Sequence, residues 1–172
     1  MIEVPDYAEP FETWRVWKVV RHEGEYTLGS VVQRTLWPAG EAFIAECLRF
    51  RRVMRHLLRK RRHEAPEADC ECGIYGAPLE RVGQYVADFP CGGIARVVGQ
   101  VALWGTVVEC ERGLRASHAY PRRIYVPADA GEPWRVSWDE VALSLWRYGV
   151  PVELLPSRAT EATRVLAERQ AA

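Results

Sequence analysis

The sequence has no excess of either charge and no long apolar run. Its 172 residues include 23 Lys and Arg and 23 Asp and Glu, so the formal net charge at neutral pH is zero. Such a chain has no overall attraction for polyanions, and binding to nucleic acid would depend on a local patch. The longest uncharged stretch, 97–108, is too short to cross a bilayer, and residues 1–6 lack the basic start and apolar run of a signal peptide. We therefore predict a cytoplasmic protein without a membrane span.

The sequence also lacks the motifs that identify a reaction. It contains no phosphate-binding loop and no pair of carboxylates whose spacing indicates acid–base catalysis. Ser117 and His118 are adjacent, but no nucleophile-elbow pattern surrounds the serine. The sequence therefore assigns no catalytic residue. It favours a non-enzymatic function and leaves enzyme activity open.

Alternating apolar residues predict the strands. Residues 14–20 and 26–33 form a predicted hairpin around a polar turn, and residues 94–111 form a predicted long strand. Residues 114–120 and 124–126 follow as two shorter strands, which Pro121 separates. These segments predict an α+β fold built on an antiparallel twisted sheet or a small partly open barrel.

Three helices are predicted beside the sheet, near 48–62, 138–148 and 158–169. The second has the clearest ends, because Ser137 and Glu140 form a capping box and Gly149 can take the left-handed conformation that ends a helix. The proline-containing segment 150–156 is predicted to be a linker.

A chain of 172 residues buries roughly two-thirds of its unfolded surface on folding. We expect one α+β domain over 1–156, with the helix of 157–172 packed on it or fraying.

The segment 48–62 is strongly basic. Phe50, Val53 and Leu57 lie on an apolar stripe at helical spacing, and eight cations surround it. Such a helix suits an acidic protein partner, nucleic acid or an anionic membrane surface, and it is equally typical of a solvated outer face. The candidate contact residues, one helical turn or so apart, are Arg51, Arg55, Arg59 and Arg62.

The five cysteines point to metal binding or plain burial, since an odd number is unusual for a disulfide framework. Cys47, His63, Cys70 and Cys72 together offer three thiolates and one imidazole, the ligand types of a structural zinc site. The spacing of Cys70 and Cys72 is shorter than that of a zinc knuckle, although alternate residues of an extended segment share a face. We predict that one zinc ion bound by these four residues holds the two ends of the segment 48–62 close to each other. The alternatives are ordinary reduced thiols, or His56 or His118 as the nitrogen ligand.

Several aromatic residues and an arginine could serve a ligand instead. The candidates are Tyr75, Trp104, Arg115 and Tyr120. On one concave face they would suit a planar or anionic molecule. The competing interpretation is that the aromatic residues fill a core and that Arg115 pairs with Glu109 or Glu111 across the turn. The functional hypotheses are thus a zinc-braced binding or adaptor module for an acidic protein, a nucleic-acid-binding regulator, and a small-molecule sensor or enzyme.

Three motifs extend this interpretation to a family. They are Cys-x-Cys-Gly-Ile-Tyr-Gly at 70–76, Leu-Trp-Gly-x-Val at 103–107 and Ala-Tyr-Pro-x-x-Ile-Tyr-Val at 119–126. With Trp14, Trp17 and the segments around Cys47 and His63, they resemble an uncharacterised family of bacterial proteins of the actinobacterial type. The resemblance covers most of the chain before Pro127. It implies a single domain and supports the cysteine and histidine set, but the family has no known activity to transfer.

Overall fold

The fold is built on one eight-stranded sheet. The computed structural model describes residues 2–4, 9–47, 63–87, 95–128 and 137–171. The strands are β1 (Ile2–Val4), β2 (Phe11–His22), β3 (Glu25–Ser30), β4 (Phe43–Ile44), β5 (Ile74–Gly76), β6 (Ala95–Cys110), β7 (Gly113–Pro127) and β8 (Val152–Leu155). The helices are α1 (Leu79–Val82), α2 (Gln84–Ala87), α3 (Trp138–Leu145) and α4 (Ala162–Ala171), with 3-10 turns at Trp146–Tyr148 and Ala159–Glu161.

The sheet is mixed but mostly antiparallel. Its central path runs β3-β2-β6-β7-β4, with β1 paired to β6 and with β5 and β8 paired to β7. This arrangement confirms the α+β prediction, and the described strands form an open sheet. The segment 150–156 is not simply a linker, because β8 lies within it and pairs with β7 in parallel. The predicted hairpin is confirmed, although β3 ends at Ser30, before the expected end at residue 33.

Strand β7 is continuous where two strands were predicted. Val101 lies opposite Pro121 and Gln100 lies opposite Arg123, so the register shifts by one residue and β7 bulges there. A bulge accepts proline because the missing backbone N–H interrupts no regular ladder hydrogen bond. The proline therefore bends β7 without ending it.

Both faces of the sheet are buried. On β2, Trp17 and Val19 belong to a core with Val141 and Leu145 of α3. The alternate residues Trp14 and Val16 belong to a second core, and the helical residues in that core come from the following set: Leu79, Val82, Val86, Ala162 and Leu166. Opposite sides of one strand thus contact different helices, as a period of two requires.

Two of the three predicted helices lie within the described residues, whereas the helix predicted near 48–62 lies outside them. The Ser137 hydroxyl accepts a hydrogen bond from the Glu140 N–H at the start of α3. The last predicted turn is a 3-10 turn, and Gly149 ends it at a φ of 67°. Helix α4 continues to Ala171 and buries Ala162 and Leu166 against the second core. Among the described residues, no helix has the length and apolar character needed to cross a membrane.

A buried tyrosine joins α3 to the sheet. The Tyr148 hydroxyl accepts from the Leu28 N–H at 3.0 Å, donates to the Trp37 carbonyl at 2.8 Å and lies 2.9 Å from the Thr27 hydroxyl. Tyr148 is 2 % exposed. Buried polar groups of this kind must be paired to be tolerated, so the hydroxyl fixes the end of α3 against β3.

Candidate metal centre

Strand β7 positions three of the four predicted ligands. Cys47 follows β4, and the pairing continues past that strand because the Ala45 N–H donates to the Ser117 carbonyl of β7 at 2.7 Å. Cys70 and Cys72 precede β5, which pairs with β7 further along, with Ile74 opposite Ala116. Two short edge strands on one scaffold strand therefore bring distant cysteines to the same place.

The four predicted ligands converge. One ligand atom from each of Cys47, His63, Cys70 and Cys72 lies within 4.8 Å of all the others. The Cys47 and Cys70 sulfurs are 3.8 Å apart, and His63 Nε2 is 3.3 Å from the Cys72 sulfur. Three sulfurs and one ring nitrogen at this separation can bind a metal ion. His118 is not a member of this cluster, and His56 lies outside the described residues.

The cluster is partly enclosed. Cys70 is buried, while Cys47, His63 and Cys72 are half-buried. His63 Nδ1 lies 3.0 Å from a carboxylate oxygen of Glu67, four residues along a segment without helix. A carboxylate at Nδ1 keeps a proton on that nitrogen and directs the unprotonated Nε2 towards a metal. Glu67 was not among the predicted site residues, although its spacing from His63 was the available signal.

The thiols of the cluster influence one another. Burial raises the pKa of Cys70, but hydrogen bonds from Cys72, Cys47 and His63 outweigh it and lower that pKa to about 7. Burial also raises the pKa of Cys72, and with the nearby Cys70 and Cys47 it brings that pKa to about 11. A negative charge on one sulfur thus disfavours charge on the next, and a bound cation reverses this effect.

Arg115 lies beneath the segment that carries Cys70 and Cys72. Its guanidinium donates to the carbonyls of both cysteines and to that of Glu67. The contact with the Cys72 carbonyl is 3.0 Å, and Arg115 is only 5 % exposed. The expected pairing of Arg115 with Glu109 or Glu111 is therefore replaced by hydrogen bonds to backbone carbonyls.

Gly73 allows this segment to pass close to β7. Its φ is 117°, which residues with a Cβ rarely adopt. A Cβ there would lie 2.9 Å from Cβ of Pro66 and 3.2 Å from Cβ of Arg115. Only glycine fits both the backbone conformation and the space, so the carbonyls of the cysteine segment can reach the guanidinium.

Tyr75 covers the same arginine. It lies opposite Arg115 in the pairing of β5 with β7, and the guanidinium carbon is 5.9 Å from the centre of its ring. Its hydroxyl donates to the Glu71 carbonyl at 2.8 Å. Burial raises the pKa of Tyr75, although the charge of Arg115 opposes this, so the hydroxyl keeps its proton and remains a donor.

The other two residues of the predicted ligand face have separate neighbours. Trp104 stacks on His118 with ring centres 5.9 Å apart. The Tyr120 hydroxyl accepts from the Gly40 N–H at 2.7 Å and donates to the Tyr148 carbonyl at 2.8 Å. Tyr75 and Arg115 of the predicted set contact each other, and both contact the cysteine segment. The ligand-pocket role of the set stays a prediction.

The remaining predicted sites fall outside the described residues. These are Arg51, Arg55, Arg59 and Arg62 of the basic segment 48–62. Cys110 is described, and its thiol donates to the Gly113 carbonyl at 3.3 Å, apart from the metal cluster. The resemblance to an uncharacterised bacterial family stays a prediction. No family model matches the chain, and neither the curated proteins nor the solved structures contain a match to it.

Proposed function

We propose that this protein is a non-enzymatic binding module braced by a structural zinc ion on Cys47, His63, Cys70 and Cys72. The observation that carries the proposal is the convergence of these ligand atoms within 4.8 Å from separate parts of the sequence. Unrelated reduced thiols have no reason to gather around one imidazole. A shared ion provides that reason.

The separation of the Cys47 and Cys70 sulfurs suits zinc. In a tetrahedral site with zinc–sulfur bonds of about 2.3 Å, two thiolate sulfurs lie about 3.8 Å apart. The Cys47 and Cys70 sulfurs are 3.8 Å apart without any adjustment. Three thiolates and one histidine also form one of the ligand sets that structural zinc sites use.

The number of ligands favours a structural role over a catalytic one. Four protein ligands complete a tetrahedral shell, whereas catalytic zinc keeps a position for water or substrate. Two residues of the alternative small-molecule face are also already engaged, since Arg115 donates to backbone carbonyls and Tyr120 joins two backbone groups. These contacts leave less support for a sensor or enzyme at that face.

A metal ion at this site would fix both ends of the basic segment 48–62. Cys47 immediately precedes 48–62 and His63 immediately follows it, so one ion would hold both ends of a segment that carries eight cations. In general, fixing the ends of a binding segment lowers the conformational entropy cost of association. We infer that the segment engages an acidic protein surface through Arg51, Arg55, Arg59 and Arg62.

Elemental analysis of protein purified without added metal tests the zinc site. We expect about one zinc per chain in the unaltered protein and in the control Cys110→Ala, whose thiol lies outside the cluster. Cys70→Ala should lose the zinc. Protein that contains no metal as purified and binds no added zinc would refute the proposal, and another metal in the same stoichiometry would refute zinc.

Binding measurements test the partner. The zinc-loaded protein should bind an acidic peptide of repeated glutamates, and a variant with Arg51, Arg55 and Arg59 changed to Ala should lose that binding. Preference for duplex DNA or RNA, with affinity that falls steeply as salt rises, would instead support a nucleic-acid partner. The control variant replaces Glu109 and Glu111 by Ala, which changes the charge of the protein outside the basic segment 48–62.

A further inference from the structure

The proposed zinc shell has a net charge. Zn²⁺ with three thiolates and one neutral imidazole leaves one negative charge on the site. Cys70 is buried and its neighbours are half-buried, so water screens this charge only in part. A buried charge without a partner is strongly destabilising. A site of this composition therefore needs a fixed positive charge nearby.

Arg115 is a buried cation whose observed partners are neutral. It is 5 % exposed and donates to the carbonyls of Glu67, Cys70 and Cys72. Within the described parts of the chain, its guanidinium forms no ion pair with a carboxylate, whereas Arg122, Arg123, Arg147, Arg164 and Arg169 each do. Carbonyl oxygens satisfy its donors but do not balance its charge.

The proposed zinc shell and the Arg115 guanidinium both involve Cys70 and Cys72. The thiols of Cys70 and Cys72 belong to the metal cluster, and the carbonyls of the same two residues accept from Arg115. The guanidinium thus contacts the backbone of the same two residues whose sulfurs belong to the cluster. Gly73 and Tyr75 maintain this placement, the first by its close approach to β7 and the second by covering the guanidinium.

We propose that Arg115 supplies the positive charge that balances the monoanionic zinc–thiolate shell and positions the segment carrying Cys70 and Cys72. This inference rests on the zinc site proposed above. Arginine suits the role because its guanidinium stays protonated and offers five donors in one plane. Lysine keeps the charge but lacks the planar set of donors, and glutamine keeps some donors but lacks the charge.

Zinc affinity, measured by competition with a chromophoric chelator, tests the role of Arg115. We expect Arg115→Gln to weaken zinc binding about 10- to 100-fold, the usual range for residues that support metal ligands. Arg115→Lys should retain more affinity than Arg115→Gln. The control is Arg81→Gln, because Arg81 is exposed and donates to the backbone carbonyl of Glu111; its zinc affinity should be unchanged.

A second measurement separates charge from general structural support. The free energy of unfolding of the metal-free protein should change less than the zinc-binding free energy in Arg115→Gln, because the net charge of the complete zinc–thiolate shell is then absent. Equal zinc affinities of the lysine and glutamine variants would overturn the charge-balancing role, and unchanged affinity in both would overturn the inference entirely. If Arg115→Gln does not fold, Arg115→Lys is compared with Arg81→Lys, and equal affinities overturn the positioning role. An unaltered protein that binds no zinc would instead refute the zinc site itself.

Discussion

Removing the metal should lower the free energy of unfolding by about 3 kcal/mol without unfolding the protein. The ion would link Cys47 to Cys70, which are 23 residues apart in sequence. Zinc that binds only the folded state stabilises it by about 2.7 kcal/mol when free zinc is 100 times its dissociation constant. Two large cores remain without the ion, with Trp17, Val97 and Leu103 all fully buried. The metal-free protein should therefore stay folded but be less stable.

Urea unfolding of zinc-saturated and chelator-treated protein measures this difference. The midpoint should fall on chelation in the unaltered protein and in Cys110→Ala. Cys70→Ala should not respond to chelator, because its ligand set is incomplete. A difference below about 1 kcal/mol at that excess of zinc would show that the ion does not bind the folded state in preference to the unfolded chain. Complete loss of structure on chelation would equally refute the reasoning, since it would mean that the cores do not suffice.

Three substitutions test contacts around this framework. Tyr148→Phe should lower the free energy of unfolding, measured in urea, by about 2–4 kcal/mol. The substitution leaves the buried N–H of Leu28 and the buried carbonyl of Trp37 without their partner. A loss below about 0.5 kcal/mol would contradict this expectation. Gly73→Ala should lower the free energy of unfolding more than Gly149→Ala does. Both glycines have a positive φ, but of the two only Gly73 has side chains close to the added Cβ. Equal losses would show that Pro66 and Arg115 move aside to accommodate the Cβ. Glu67→Gln should weaken zinc binding about tenfold, because the Glu67 carboxylate no longer orients the His63 ring, and the stability of the metal-free protein should change little. Unchanged zinc affinity would exclude this orienting role of Glu67.

The predictions that held rest on local patterns. The capping serine and the left-handed glycine defined α3 and its 3-10 turn because both act within a few residues of the helix ends. The alternation in 14–20 predicted β2 because a strand repeats every two residues. The ligand types of the metal cluster were also predictable, since sulfur and imidazole are the chemistry that zinc prefers.

The predictions that failed involve pairing between distant segments. Strand β8 lies in a segment that was predicted as a linker, and its parallel partner β7 is separated from it by α3. Pro121 was predicted to end a strand, but the shift opposite Gln100 and Val101 accommodates it as a bulge. Propensity within one segment carries no information about which strand lies beside it.

The sequence alone determined which side chains are available: three cysteines and a histidine fit for a metal, a basic segment between two of them, and a helix with defined ends. Only the tertiary structure decided that β7 brings the three cysteines together and that Arg115 faces the backbone of Cys70 and Cys72 rather than a nearby glutamate. The physical reason is that ligand chemistry belongs to single residues, whereas the distances between ligands and the neighbours of a buried charge depend on strand pairings across the whole chain.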